Sequence, residues 1–147
     1  MRKPTHAAKT PPPNGSVLNY PYLWLWQIEQ RIPFSKDRTC CLAFTLKRPN
    51  GKDGLVILPI SDDAGDGSKD VLVIPFNEKR RAGLQTNRDA FLHMDEYNFD
   101  ELQGSLYFQP KAKPLGHFSE AFTRKVITML KEQLRQGQIR QINRTDR

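Results

Sequence analysis

Apolar residues follow two different patterns along this chain of 147 residues. Between residues 20 and 109 they come in short runs separated by polar or glycine-rich stretches, which is typical of short β-strands. Beyond Ser119 they recur at helical spacing, at Phe122, Val126, Ile127, Leu130 and Leu134. Ser119 suits the N-cap of this helix, and Gly137 suits the first residue beyond its C-terminus. The pattern predicts a series of strands followed by one helix.

The individual elements can be assigned from the same pattern. The predicted strands are Tyr20–Trp26, Arg38–Leu46, Leu55–Ile60, Val71–Ile74, Arg88–Asp95 and Gly104–Gln109. Alternation along the first strand places four aromatic residues on one face: Tyr20, Tyr22, Trp24 and Trp26. The connections are predicted as a polar loop at Gln27–Asp37, a hairpin turn at Pro49–Gly54, a loop at Ser61–Asp70 and a helical turn at Asn77–Ala82, ended by Gly83. We therefore expect a mainly β fold: a small barrel of five to seven antiparallel strands, closed by the C-terminal helix.

The chain divides into a central domain and two basic ends. Residues 1–17 are rich in proline and predict a disordered arm. Residues 18–136 contain the strands and the helix and form one domain, and residues 137–147 form a basic tail. The longest apolar stretch, Tyr20–Trp26, is too short to cross a bilayer. We expect a soluble, cytoplasmic protein that makes no membrane contact.

The positive charge is concentrated at the two ends. The net charge is +7, from 23 basic and 16 acidic residues. Residues 1–19 contain three basic and no acidic residues, and residues 131–147 contain five basic and two acidic ones. Such ends attract polyanions, nucleic acid above all, because neutralising phosphates releases counterions. Solubility alone explains the same distribution equally well.

Candidate chemistry lies near the ends of two predicted strands. Lys36 and Arg38 open one of them, where a cation can stabilise charge that develops on a phosphate. His93 and Asp95 end another strand on the same face, and an imidazole beside a carboxylate suits general acid or base catalysis. A surface ion pair and a polar strand end would explain the same residues without catalysis.

Metal chemistry is poorly supported by the sequence. Three histidines are widely dispersed: His6, His93 and His117. The loop Asp62–Gly67 is similar to a calcium loop, but Ala64 and Val73 stand at the third and twelfth ligand positions. Cys40 and Cys41 are adjacent on a strand, so their side chains should point to opposite faces. We expect no metal and no cofactor.

A set of short motifs occurs in a characteristic order. These motifs are Tyr20-x-Tyr22-Leu23-Trp24, Lys36-Asp37-Arg38-Thr39-Cys40, Val56-Ile57-Leu58-Pro59-Ile60-Ser61, Ile74-Pro75, Lys79-Arg80-Arg81-x-Gly83-Leu84 and Asp95-Glu96-x-Asn98-x-Asp100. From Tyr20 to Leu134 the chain resembles the PemK/MazF family of bacterial toxin–antitoxin growth inhibitors, and in particular a divergent branch of that family.

The resemblance implies a fold and an activity. The fold would be a small SH3-like or CcdB-like barrel with a C-terminal helix, usually a homodimer, and an antitoxin would cover its RNA groove. The activity would be metal-independent cleavage of single-stranded RNA. In that reaction a base removes the 2′-OH proton, the oxygen attacks the adjacent phosphate, a cation stabilises the phosphorane, and an acid protonates the leaving 5′ oxygen.

The resemblance also implies roles for particular residues. The Arg-Pro pair of the family corresponds to Arg38 and Thr39, so the transition-state cation is retained and the proline is lost. Ser61 corresponds to the hydroxyl residue that donates to the phosphate. Asp95 corresponds to the family's later acidic residue, with Glu96 beside it, and His93 stands where many members have a second arginine.

These correspondences give a predicted site. The predicted catalytic residues are Arg38, His93 and Asp95, and the predicted substrate-binding residues are Lys36, Thr39, Ser61, Glu96 and Trp24. Trp24 either stacks on RNA bases or fills the core, since aromatic residues do both.

Two functions of other kinds remain open. The same fold can act as a non-catalytic module that binds nucleic acid or a protein partner through its basic ends. It can also act as a CcdB-like topoisomerase poison that binds its target through residues 138–147.

Overall fold

The computed structural model of the chain describes residues 10–32, 35–65, 70–108 and 113–145. Within these ranges the elements are β1 (Ser16–Tyr20), α1 (Leu25–Glu29), β2 (Arg38–Lys47), β3 (Asp53–Ser61), β4 (Val71–Val73), α2 (Phe76–Arg81), β5 (Phe91–His93), β6 (Glu96–Glu101), β7 (Gly116–His117), α3 (Glu120–Arg135) and β8 (Arg140–Asn143). The chain is mainly β with a C-terminal helix, as the sequence predicts.

A long hairpin of β2 and β3 forms the centre of the sheet. The two strands are antiparallel, and Lys47 pairs with Asp53 next to the turn. Gly51 has a φ of 83° in that turn, a conformation that favours glycine. The register shifts between Leu42 and Phe44, which marks a bulge in β2. The predicted strands and hairpin turn of this region are confirmed.

The strands form one open sheet rather than a closed barrel. Its order is β4-β5-β3-β2-β1-β7, and β6 joins β3 beside β5. β8 pairs with β6 in parallel, whereas the other pairs of described strands are antiparallel. The predicted count of five to seven strands is wrong, because the described residues form eight.

The sheet is buried on both faces. The first cluster, between the sheet and α3, includes Val17, Cys41, Val56, Leu58, Leu92, Phe122, Val126 and Leu130. The second cluster, on the opposite face, includes Leu18, Tyr20, Tyr22, Cys40, Leu42, Leu55, Ile57 and Phe108. Cys40 and Cys41 are both free and lie in different clusters, so the prediction of opposite faces is confirmed.

Helix α3 has the predicted ends. The Ser119 hydroxyl accepts a hydrogen bond from the Phe122 amide at 3.1 Å, as an N-cap residue does. Gly137 follows the C-cap with a φ of 69°. The buried stripe of the helix packs on the sheet through Phe122, Val126 and Leu130.

The structure differs from the sequence prediction in several central segments. β6 was not predicted, and only Phe91–His93 of the predicted strand Arg88–Asp95 forms a strand. The predicted strand Tyr20–Trp26 is irregular after Tyr20, and its last two residues open α1. The predicted loop Gln27–Asp37 begins inside that helix. Residues 104–108 of the predicted strand Gly104–Gln109 form turns and bends, and Gln109 lies outside the described residues.

The two ends also differ from their predicted state. Ser16 and Val17, assigned to the disordered arm, belong to β1. Residues 140–143 of the predicted tail form β8. Residues 1–9 and 146–147 lie outside the described part of the chain. In that described part, none of the helices has the length and apolar character that crossing a membrane requires.

Candidate active site

A row of three buried polar residues on β6 holds the segment that carries Trp24. We call Glu96, Asn98 and Asp100 the polar row. They alternate along the strand, so their side chains lie on one face. All three are buried, with exposed fractions of 8%, 0% and 1%.

The polar row makes hydrogen bonds along the irregular segment that follows β1. At one end, Asp100 accepts from the Tyr20 hydroxyl at 2.7 Å. In the middle, the Asn98 amide binds both the N–H and the C=O of Leu23, each at 2.8 Å. At the other end, Glu96 accepts from the Tyr22 hydroxyl at 3.0 Å and from the Leu25 amide at 3.1 Å. Side chains thereby satisfy the polar groups of a segment that has no strand partner there.

A step between β5 and β6 presents His93 and Asp95. Ile57 and Ile60 are three positions apart on β3, but their partners Asn98 and Leu92 are six positions apart. The extra residues form an irregularity around Asp95, between the two strands. His93 lies at the end of β5 and is half-buried, and Asp95 is exposed.

Ser61 holds His93 by a short hydrogen bond. The Oγ of Ser61 lies 2.6 Å from the Nε2 of His93. The same hydroxyl donates to the carbonyl of Asp63 at 2.7 Å. Ser61 ends β3 and its neighbour Ile60 pairs with Leu92, so the β3–β5 pairing brings the two side chains together.

Trp24 joins His93 to Arg38. The ring centroids of Trp24 and His93 are 5.3 Å apart, with an edge-to-face angle of 85°. The guanidinium carbon of Arg38 lies 5.9 Å from the Trp24 ring centroid, within the range of a cation–π contact. The Nε of Arg38 is buried and makes no hydrogen bond to any described residue. The Tyr22 ring also packs against the Trp24 ring, with centroids 5.3 Å apart and an interplanar angle of 70°.

Burial and nearby charge set the protonation of this region. Partial burial lowers the pKa of His93, and the charge of Asp95 and a backbone hydrogen bond to Asp63 oppose that effect. Burial raises the pKa of Glu96, against its hydrogen bonds from Leu25 and Tyr22. Burial also raises the pKa of Tyr22, so its phenol remains the donor to Glu96. The lowered pKa favours the neutral imidazole, which can accept a proton.

The structure brings together part of the predicted site. Arg38, Trp24, Ser61 and His93 form one chain of contacts, and the charge of Asp95 acts on His93. Thr39 pairs with Asn19 across β1 and alternates to the opposite face of β2 from Arg38.

Two further predicted residues are not part of that chain of contacts. Lys36 is exposed just before β2. The Glu96 carboxylate points into the protein, toward Tyr22 and Leu25. Across the ranges that the structure describes, no three His, Cys, Asp or Glu residues are grouped so that they could hold a metal ion.

Sequence reasoning missed the importance of Asn98. Polar residues that alternate with apolar ones, as they do here with Tyr97 and Phe99, are typical of a strand face exposed to solvent. The signal that could have identified it is the pair of motifs around Tyr22 and Asn98, since the structure bonds these two motifs to each other.

Comparison with known proteins adds no assignment. No family model matches the chain, and no curated protein matches it.

Proposed function

We propose that this chain is an endoribonuclease that cuts single-stranded RNA without a metal ion, as the toxin of a bacterial toxin–antitoxin pair. The observation that carries the proposal is the convergence of Arg38, Trp24 and His93, in which one indole contacts both a guanidinium and an imidazole. Cleavage by 2′-OH attack needs a cation, a base and a place for a nucleotide. These three side chains provide all of them.

His93 is the proposed base. Its neutral imidazole takes the 2′-OH proton, and the 2′ oxygen then forms a bond to the adjacent phosphorus. The exposed carboxylate of Asp95 stabilises the imidazolium that results. The leaving 5′ oxygen takes a proton from the solvent that reaches this open side of the site. The products are a 2′,3′-cyclic phosphate and a free 5′-OH.

Arg38 is the proposed transition-state cation. Its guanidinium is held beside Trp24, and its buried Nε is free of hydrogen bonds to the described residues. A guanidinium can give two parallel hydrogen bonds to a phosphate, and it stays charged at any pH of interest. It is therefore suited to the charge that develops on the phosphorane.

The remaining predicted residues have revised roles under this proposal. The Ser61 hydroxyl is already engaged by His93 and Asp63, so it orients the base instead of donating to phosphate. Glu96 is a positioning residue, since its carboxylate is buried. Trp24 offers its ring to a base, and exposed Lys36 binds the RNA backbone at the entrance to β2.

We also propose an SH3-like or CcdB-like arrangement of the strands, a homodimer and an antitoxin partner. α2 follows β4 at one end of the sheet, yet it packs against β7 at the other end. A Cβ added to Gly116 of β7 would lie 2.5 Å from the Arg81 carbonyl oxygen. This packing supports an SH3-like or CcdB-like arrangement, in which a homodimer and an acidic antitoxin segment are the expected partners.

A non-catalytic RNA-binding module is the second candidate. Trp24 and Arg38 provide a stacking ring and a phosphate-binding group without help from His93. Such a module would bind RNA with a steep salt dependence and would leave it intact.

The experiment is cleavage of unstructured RNA of varied sequence in the presence of EDTA. We expect the wild-type protein to give fragments with 2′,3′-cyclic phosphate ends and His93→Ala to give them at least roughly 10²-fold more slowly. The matched control is His117→Ala, an exposed histidine on β7, which should cleave normally. Folded wild-type protein that binds RNA but leaves every sequence intact would replace the nuclease by the binding module.

A further inference from the structure

The residue Leu23 is held more firmly than its irregular backbone would suggest. Both of its backbone polar groups are bound by one side chain, the fully buried amide of Asn98. This pairing imitates the two hydrogen bonds that a neighbouring strand would provide. It fixes both the position and the orientation of the peptide groups on either side of Leu23.

We propose that Asn98 is a positioning residue of the candidate active site, and that the polar row sets the place of Trp24 relative to His93. Its effect on cleavage rests on the proposed function, whereas its effect on Trp24 does not. Trp24 follows Leu23 directly, and its own N–H and C=O are bound by Gln27 at 2.9 Å and 3.0 Å. Hydrogen bonds therefore restrain the backbone of two consecutive residues, Leu23 and Trp24, and with it the position of the indole.

Asn98 and His93 belong to one stretch of chain. β5 ends at His93 and β6 begins at Glu96, and both strands pair with β3. The stretch that carries the base thus also carries the amide that places Trp24. A displacement of either Asn98 or His93 would move the indole relative to the imidazole. The centroids of these two rings are 5.3 Å apart.

The chemistry at position 98 requires an amide. Asp would accept from the Leu23 N–H but could not donate to its C=O. Leu or Ala would leave two backbone groups buried without partners. Full satisfaction of such a buried network selects one arrangement over others.

The test follows Trp24 directly and cleavage separately. The chain has two tryptophans, so Trp26→Phe leaves Trp24 as the single fluorescent indole. In that background we expect Asn98→Ala to increase acrylamide quenching of Trp24 and to lower kcat for RNA cleavage roughly 10-fold or more. The KM should rise as well, because Trp24 is the proposed stacking ring for a base.

The matched control is Gln103→Ala. Gln103 also holds one residue by two hydrogen bonds, to the N–H and the carboxylate of Asp53, at 2.8 Å and 2.7 Å. It lies at the opposite end of β3 from Ser61. Quenching and kcat should both stay at the Trp26→Phe values.

A milder variant covers the case in which Asn98→Ala does not fold. Tyr22→Phe removes only the hydroxyl that donates to Glu96 and keeps the ring beside Trp24. We expect a smaller change of quenching in the same direction. Wild-type quenching in every folded variant of Asn98 and Tyr22 would overturn the inference. Absence of RNA cleavage by wild-type protein would overturn the proposed function and leave the quenching result to decide on Asn98.

Discussion

Ser61 and His93 share one short hydrogen bond, at 2.6 Å between Oγ and Nε2. The Ser61 hydroxyl also lies within donating distance of the Asp63 carbonyl, at 2.7 Å. With its one proton given to that carbonyl, the hydroxyl oxygen can only accept from Nε2–H, and Nδ1 is then the free proton acceptor of the imidazole. In the proposed reaction this tautomer would make Nδ1 the base.

The pH dependence of cleavage should report the protonation of His93. Since burial lowers the pKa of His93, the imidazole stays neutral at a lower pH than usual. We expect kcat/KM to rise with pH through a midpoint below about 6.5, the ordinary value for histidine. Ser61→Ala should reduce kcat roughly 10-fold, and His93→Ala roughly 10²–10⁴-fold. A profile without an acid limb, or one that His93→Ala leaves in place, would remove His93 from the reaction.

Arg38 should be needed for rate more than for RNA binding. We expect Arg38→Ala to lower kcat roughly 10²–10³-fold, because the guanidinium acts on charge that exists in the transition state. Arg38→Lys should restore only part of the loss, since an ammonium lacks the planar fork. The control is Arg48→Ala, because Arg48 also lies over an aromatic ring, at 4.8 Å from the Phe99 centroid. Equal losses in the Arg48 and Arg38 variants would mean that general positive charge is sufficient.

Trp24 should contribute to binding through base stacking. The affinity of the protein for RNA can be measured with 2′-O-methyl RNA, which has no attacking hydroxyl. We expect Trp24→Ala to weaken binding by about 1–3 kcal/mol and Trp24→Phe to weaken it less. Trp26, which is 46% exposed on α1, provides the comparison, and Trp26→Ala should bind normally. Unchanged affinity for Trp24→Ala would assign this ring to packing alone.

The stability of the protein should depend on Glu96 in a defined direction. Burial raises the pKa of Glu96 in the folded state, so its contribution to stability is present at low pH and is lost as pH rises through that raised value. Glu96→Gln keeps an oxygen acceptor for Tyr22 and removes the buried charge. We therefore expect the free energy of unfolding of Glu96→Gln, relative to wild type, to increase with pH above about 4.3.

Urea unfolding at pH 4 and pH 7 measures this difference. The exposed residue Glu120 on α3 provides the control, because Glu120→Gln removes a surface charge and no buried one. A difference between Glu96→Gln and wild type that shrinks as the pH rises would contradict the assignment of a raised pKa.

The elements that could be predicted are those whose pattern of apolar residues can be recognised within a short stretch of sequence. The hairpin of β2 and β3 has a turn signal between two apolar runs, and α3 has both a periodic stripe and an N-cap at Ser119. β6 was missed because its polar positions are buried, which inverts the usual meaning of alternation. Tyr20–Trp26 has the alternating aromatic pattern of a strand, but side chains of the polar row, and no described strand, bind the residues after Tyr20.

Individual residues of the candidate site could be predicted from the sequence, but their arrangement in space could not. Arg38 and His93 stood out by their chemistry. That Trp24 connects them could not be predicted, because the contact joins side chains from β2, from β5 and from the segment before α1, which only tertiary packing brings together. The internal position of Glu96 has the same origin.

The parallel pairing of β8 with β6 has a consequence for the order of folding. β6 has neighbours on both edges only when residues 140–143 have paired with it. That pairing places Arg140 opposite Glu96, with the whole of α3 between them in the chain. Contacts between residues so distant in sequence are slow to form, so β6 gains its second edge after the β2–β3 hairpin has closed.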